Sequence, residues 1–203
     1  MGSPWAMTAT KGGGGEYEKA PPGNHPAVLV AIVDMGTQTV DGFQGAPAKD
    51  QHRAYLVWEL VGEPAAGTSR NHTIGIDMNL SLNEKAKLRK WVEAWTGKPI
   101  GEGGNFDIST LLGKPCLLNV IEKNGYPKVD GVGAVPKGMA VPPAQNKPVA
   151  YTLGDLMGGA TPPDWLPYLF GRPILDHVRE SKEWAAAGLP AGPQPGPPGG
   201  NPA

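Results

Sequence analysis

A single cysteine, Cys116, in 203 residues excludes an internal disulfide and suits a reducing cytoplasm, where it reads as a small buried apolar side chain in mid-strand. Long hydrophobic runs are also missing. No stretch approaches the length needed to span a bilayer and no charged-then-apolar leader opens the chain, so a soluble, cytoplasmic protein with no membrane partner is expected. Charge of one sign is not in excess: the formal net charge is −1, and between Pro26 and Lys137 twelve Lys/Arg face twelve Asp/Glu. That balance excludes a global basic field, so any polyanion site must be a local patch.

Catalytic constellations are equally scarce. His25, His52, His72 and His177 are scattered, with no cluster at metal-ligand spacing. Asp34, Asp41, Asp50 and Asp77 fall in separate segments and read as solvated turn carboxylates rather than a magnesium cluster. Gly12 to Gly15 lack the following Lys-Ser/Thr of a phosphate-cradling loop and read as a linker. No serine sits in a Gly-x-Ser-x-Gly elbow and the cysteine has no evident partner base. No enzyme activity, cofactor or metal is expected.

What is present is an ordered set of β segments. Ala27–Val33, Arg53–Leu60 and His72–Met78 are rich in β-branched and aromatic residues between turn-forming clusters. Ser81-Leu82-Asn83-Glu84 has the form of a capping box, followed by Leu88, Trp91, Val92 and Trp95 at helical spacing and a stop at Gly97 and Pro99. A short turn of helix is predicted over Asp107–Leu112. Cys116–Lys123 and Tyr126–Val129 then flank Asn124-Gly125, the pair suited to a type I′ hairpin turn. The order predicts a mainly β protein, a five-stranded Greek-key barrel of the OB type, with one main helix between strands three and four.

Gly and Pro crowd both ends. Residues 1–24 read as a flexible segment whose first six residues resemble an expression remnant, 25–140 as the barrel, 141–184 as an extension with a helix, and 185–203 as a disordered tail.

OB barrels hold ligands on the face of strands two and three and on the loops joining strands one–two and four–five. Alternation turns Ala54, Leu56, Trp58 and Leu60 inward and Arg53, Tyr55, Val57 and Glu59 outward. In strand three it turns Ile74, Ile76 and Met78 inward and shows Asn71, Thr73, Gly75 and Asp77, with Arg70 at the strand's mouth. Gly75 leaves room for a base or sugar against the sheet. Lys49 in the first loop and Lys123, Tyr126 and Lys128 at the hairpin are expected to converge on the same groove. Cations along the phosphates and flat rings for unstacked bases are what a single strand requires.

From Pro26 to Pro136 the chain resembles the phage-type OB-fold proteins of single-stranded DNA binding and replication. The resemblance is carried by Pro26–Val30 leading to Val33–Gln38, by Tyr55–Leu60, by Leu80–Arg89 and by Leu111–Cys116. It implies non-catalytic binding of single-stranded DNA in phage replication or recombination, with little sequence preference, in the cytoplasm of the bacterial host. Replication or recombination proteins, or a second copy of the chain, are the implied partners. The end of the chain, Gly200-Asn201-Pro202-Ala203, lacks the acidic, Phe-terminated tip by which bacterial single-strand binders recruit partners.

Asp164–Phe170 is an apolar cluster, and Ile174, Leu175, Val178 and Trp184 recur on one side of a predicted helix after Pro173. The segment either folds back onto the barrel or presents Trp165, Tyr168, Phe170, Val178 and Trp184 to a partner, in which case the protein is an interaction adaptor.

Overall fold

A computed structural model describes residues 19–192 apart from 43, 44, 46 and 102. Most of the expected N-terminal segment and the tail from 193 onward therefore lie outside the described residues.

The protein is mainly β. Strands β1 (Gly23–Val40), β2 (Lys49–Pro64), β3 (Asn71–Asn79), β4 (Pro115–Lys123) and β5 (Tyr126–Gly133) form one sheet in the order β3-β2-β1-β4-β5, all antiparallel. Helix α1 (Lys87–Thr96) lies between β3 and β4 in sequence, as expected. The hairpin is also as expected: Asn124 and Gly125 have φ of 54° and 76°, and Lys123 pairs with Tyr126. A 3-10 turn over Ile108–Leu111, capped by the Asp107 carboxylate, matches the predicted short helix.

Three features correct the expectation. The sheet is not closed into a barrel: no ladder joins β3 to β5 among the described residues, and these strands are its two edges. Helix α1 packs against both of them, and Trp91 and Trp95 gather around Trp58 with ring centroids 6.1 and 6.4 Å away. Second, the helix begins at Lys87 with no side-chain cap, so Ser81 and Glu84 do not form a capping box. The amide of Leu80 donates to the His52 carbonyl, and Leu80 and Leu82 pack on the core, which holds 80–82 against the sheet; a turn closed by the Ala86 amide on the Asn83 carbonyl then precedes the helix. Third, the region after residue 140 adds a sixth strand, β6 (Val149–Tyr151), parallel to Ala31–Val33 of β1, and three short helices in place of one. These are α2 (Leu153–Met157), α3 (Ile174–Val178) and α4 (Lys182–Ala186). The break between α3 and α4 falls at Ser181, whose hydroxyl accepts from the Trp184 amide and starts a new helix.

Two cores result. One lies between the sheet and α1, built from Leu29, Leu56, Trp58, Leu60, Leu88, Trp91 and Leu118 among others. The second lies on the opposite face, where Val28, Val30, Val33, Tyr55 and Val57 meet Leu156, Leu166, Leu169, Ile174, Val178 and Trp184 of the extension. Because both faces are covered, Ala27–Val33 is buried at every position, which is why this strand reads as an unbroken apolar run rather than an alternation. Gly36, with φ of 68°, lets α4 approach closely: a Cβ there would lie 2.7 Å from Ser181 Cβ. The packed chain continues past residue 185, since Leu189 joins the second core and the Pro190 carbonyl accepts from Trp184 Nε1 at 2.9 Å.

Candidate nucleic-acid interface

The outward face of β2 and β3 is not open to solvent. Tyr55 is 1% exposed, lies in the second core and donates its hydroxyl to the Pro167 carbonyl at 3.1 Å, so its expected place on an open surface is corrected. Its ring lies across Gly75, where a Cβ would fall 2.2 Å from the Tyr55 oxygen. The missing side chain of Gly75 thus accommodates Tyr55 rather than a base. Arg53 is half-buried and tied to the Asp77 carboxylate and to Gln51 Oε1. Thr73 Oγ1 reaches toward the Trp165 carbonyl at 3.5 Å, and the Asn71 amide donates to Gln145 Oε1 at 3.0 Å.

Glu59, also expected to face outward, is fully buried. Its Oε1 accepts from Asn71 Nδ2 (2.8 Å) and the Gln145 amide (2.7 Å), and its Oε2 from the Asn146 amide (2.8 Å) and Asn146 Nδ2 (2.7 Å). Four donors converge on one carboxylate, and three of them belong to the segment that covers the sheet. At the other end of that segment Glu183 accepts from the Thr37 amide at 2.8 Å and the Thr37 hydroxyl at 2.6 Å. Burial raises the Glu183 pKa, but the two Thr37 bonds, the Glu183 backbone amide and the nearby His52 together hold the carboxyl below its ordinary value.

The expected convergence of loops is corrected as well. Lys49 pairs in register with Val40, at the end of β1, whereas the β4–β5 hairpin extends from the opposite end, where Gly23 pairs with Val120. Arg70 lies exposed in the turn before β3. The structure does bring together Lys123, Tyr126 and Lys128, and adds two cations that sequence reasoning missed. Tyr126 is 68% exposed, with Lys19 Nζ 4.8 Å from its ring centroid and bonded to the Gly125 carbonyl at 2.7 Å. Lys87 Nζ lies 4.3 Å from the Trp91 ring centroid. Burial first and the nearby Lys128 second lower the Lys87 pKa, while Asp130 opposes them. Lys19 thus caps an exposed tyrosine flanked along the hairpin by Lys123 and Lys128, while Lys87 lies further along β5, its Nζ 3.4 Å from the Val129 carbonyl, and the exposed carboxylates Glu122 and Asp130 temper these charges. Lys87 was legible as a solvent-side helix residue, but its nearness to the hairpin depends on how α1 crosses β5.

Of the expected partner-facing residues, Val178 and Trp184 are buried and Trp165 packs against the second core. Their outward placement is corrected: they attach the extension to the sheet. Tyr168 and Phe170 remain 64% and 79% exposed. Among the described residues, no three His, Cys, Asp or Glu side chains gather in a way that could hold a metal ion, and no helix is long and apolar enough to cross a membrane. Comparison of the chain with protein-family models, with curated proteins and with solved structures found no match.

Proposed function

We propose that this chain is a non-catalytic single-stranded DNA-binding protein of OB-type architecture, acting in phage replication or recombination, and that it engages the strand through the β4–β5 hairpin. The observation that carries this reading is the exposed Tyr126 beneath Lys19 and between Lys123 and Lys128 on the hairpin, with Lys87 further along β5 beside Lys128. The strand order supports it, since β3-β2-β1-β4-β5 with a helix between β3 and β4 is the order of an OB barrel opened between its third and fifth strands. An aromatic face flanked by cations supplies base stacking and phosphate neutralisation without reading base edges.

The test is anisotropy of a labelled oligothymidine of about 30 nucleotides, with duplex competitor and a salt titration. Binding whose log affinity falls by roughly 0.7 per phosphate neutralised for each tenfold rise in salt is expected. Tyr126→Ala is expected to weaken it about 5- to 150-fold, the equivalent of about 1–3 kcal/mol for one stacked base. Absence of binding at low salt overturns the reading.

A second reading, an interaction adaptor, is favoured by Phe170. This residue has φ of 50° and sits at the tip of a two-residue turn closed by reciprocal Leu169–Arg172 backbone bonds. The turn is pinned by His177 on the Leu169 carbonyl and by the Arg172–Glu180 ion pair. A bulky residue in the left-handed region is strained, and here it exposes an aromatic ring. Truncation after Thr161 does not separate the two readings, because it strips Leu166, Leu169, Ile174, Val178 and Trp184 from the second core; Tyr168→Ala with Phe170→Ala does. Loss of a partner with intact oligothymidine binding assigns the adaptor role to this turn.

A further inference from the structure

A cleft of about 710 Å³ lies away from the hairpin, between the C-terminal end of α1 and the segment that leads into β4. Its size falls within the range of small-molecule sites. Val92, Trp95, Ile100 and Leu111 form an apolar floor and Phe106 a half-buried wall, while Lys98 and Lys114 stand exposed at the margin. No carboxylate is among the described residues that line it, and neither ammonium has a carboxylate within 4.0 Å among the described residues.

The cleft is held open by bonds that do not depend on a ligand. Trp95 Nε1 donates to the Pro115 carbonyl at 2.8 Å, which fixes the indole as a wall. The loop after Gly97 is anchored at Ile100, whose amide donates to Glu93 Oε1 at 2.8 Å and whose carbonyl accepts from the Arg89 guanidinium. Bonding to the Ile100 amide and to Arg89 holds the Glu93 carboxyl below its ordinary pKa, so this anchor persists at neutral pH. A pre-formed apolar slot with an aromatic wall and two cations at its mouth is complementary to a flat apolar body carrying an anionic group.

We propose that this cleft binds a nucleotide, with the base against Trp95 and Phe106 and the phosphate at Lys98 and Lys114. Choosing a nucleotide among flat organic anions rests on the DNA-binding reading above. The same chemistry comes from two sources, a free mononucleotide or the 5′-phosphorylated end of a strand.

The test is an NMR titration of the full chain, following the amides of Gly101, Gly104 and Thr110 in the cleft and of Tyr126 at the hairpin. Probes are thymidine monophosphate, thymidine, and oligothymidine with and without a 5′-phosphate. Thymidine monophosphate is expected to shift the cleft amides and leave Tyr126 unmoved, with thymidine at least tenfold weaker. Lys98→Glu with Lys114→Glu is expected to abolish that shift while Tyr126→Ala leaves it intact; Lys98→Gln with Lys114→Gln serves if the first pair misfolds. A shift of the cleft amides only by the 5′-phosphorylated oligonucleotide assigns the strand end as the source. Equal response to thymidine and its monophosphate, or none to any probe, overturns the proposal. Cleft shifts with no oligothymidine effect at Tyr126 would leave this site standing and remove the hairpin reading.

Discussion

Replacing Glu59 by Leu isolates how the extension is fastened over the sheet. The volume is nearly kept, so apolar packing is conserved and the loss is confined to hydrogen bonding. Four donors lose their acceptor: the amides of Gln145 and Asn146 and the carboxamides of Asn71 and Asn146. The two carboxamides belong to half-buried side chains that can turn toward water, and they contribute little to the loss. The two backbone amides cannot turn away from the buried site, and a donor left facing it without a partner costs about 1–3 kcal/mol, the lower end applying at the exposed Gln145. Lifting the 145–146 loop would hydrate them, but only by loosening Val141 and Ala144 from the second core, so a loss of about 2–4 kcal/mol is expected. Glu59→Gln keeps one accepting oxygen and turns an amide group toward two donors, for roughly half that loss. Urea midpoints give the free energies, and hydrogen exchange at Gln145 and Asn146 locates the effect. A Leu variant within about 0.5 kcal/mol of the parent, with both amides still protected, would refute the reasoning, since that is the scatter of innocuous surface changes.

Gly75→Ala forces a methyl into the Tyr55 ring, and a loss of about 1–3 kcal/mol by overpacking is expected in thermal melts. The loss should shrink when Tyr55 is also truncated, and additive effects would dissociate the two residues. Because the Glu183 pKa is lowered in the folded protein, its contribution is present above the ordinary glutamate value of 4.5 and is lost as pH falls through the lowered one. Urea midpoints between pH 3 and 6 should therefore fall more steeply with acid in the parent than in Glu183→Gln; parallel curves would show that Thr37 does not hold the carboxylate. Burial pushes the Cys116 thiol well above its ordinary pKa, with the Trp58 indole opposing, so a disulfide reagent at pH 8 should modify it only at the rate of unfolding. Labelling within seconds would place the thiol at the surface.

The five principal strands, their hairpin and the amphipathic α1 were legible because each carries a local signal: β-branched runs, Asn124-Gly125, and tryptophans at helical spacing. The covered face was written in the sequence too, in the apolar run Ala27–Val33 and in Tyr55 and Val57 on the side of β2 assigned outward. Read as the mark of a sheet buried on both sides, these would have joined the extension to the sheet. Closure was not legible, because whether β3 and β5 pair depends on how α1 sits against them, and no local pattern encodes that. The capping box misled because Ser81 and Glu84 match a four-residue pattern while Leu80 and Leu82 are drawn into the core nearby. At the hairpin, Tyr126 and its lysines were readable from turn chemistry, whereas Lys19 and Lys87 arrive through tertiary packing alone.

The ladder along β1 bears on how the protein behaves at high concentration. On the side away from β2, the strand is paired by β4 as far as Val28, then bonded at Leu29 by the backbone of Gly113 and Lys114, then paired by β6 from Ala31 to Val33. A three-residue parallel strand is a poor stabiliser by itself, but it occupies the free amides and carbonyls of the most apolar strand in the molecule. Without it, that edge would be a template for a strand of another copy, the usual start of sheet-to-sheet aggregation. The segment after residue 140 thus guards solubility as well as covering the sheet.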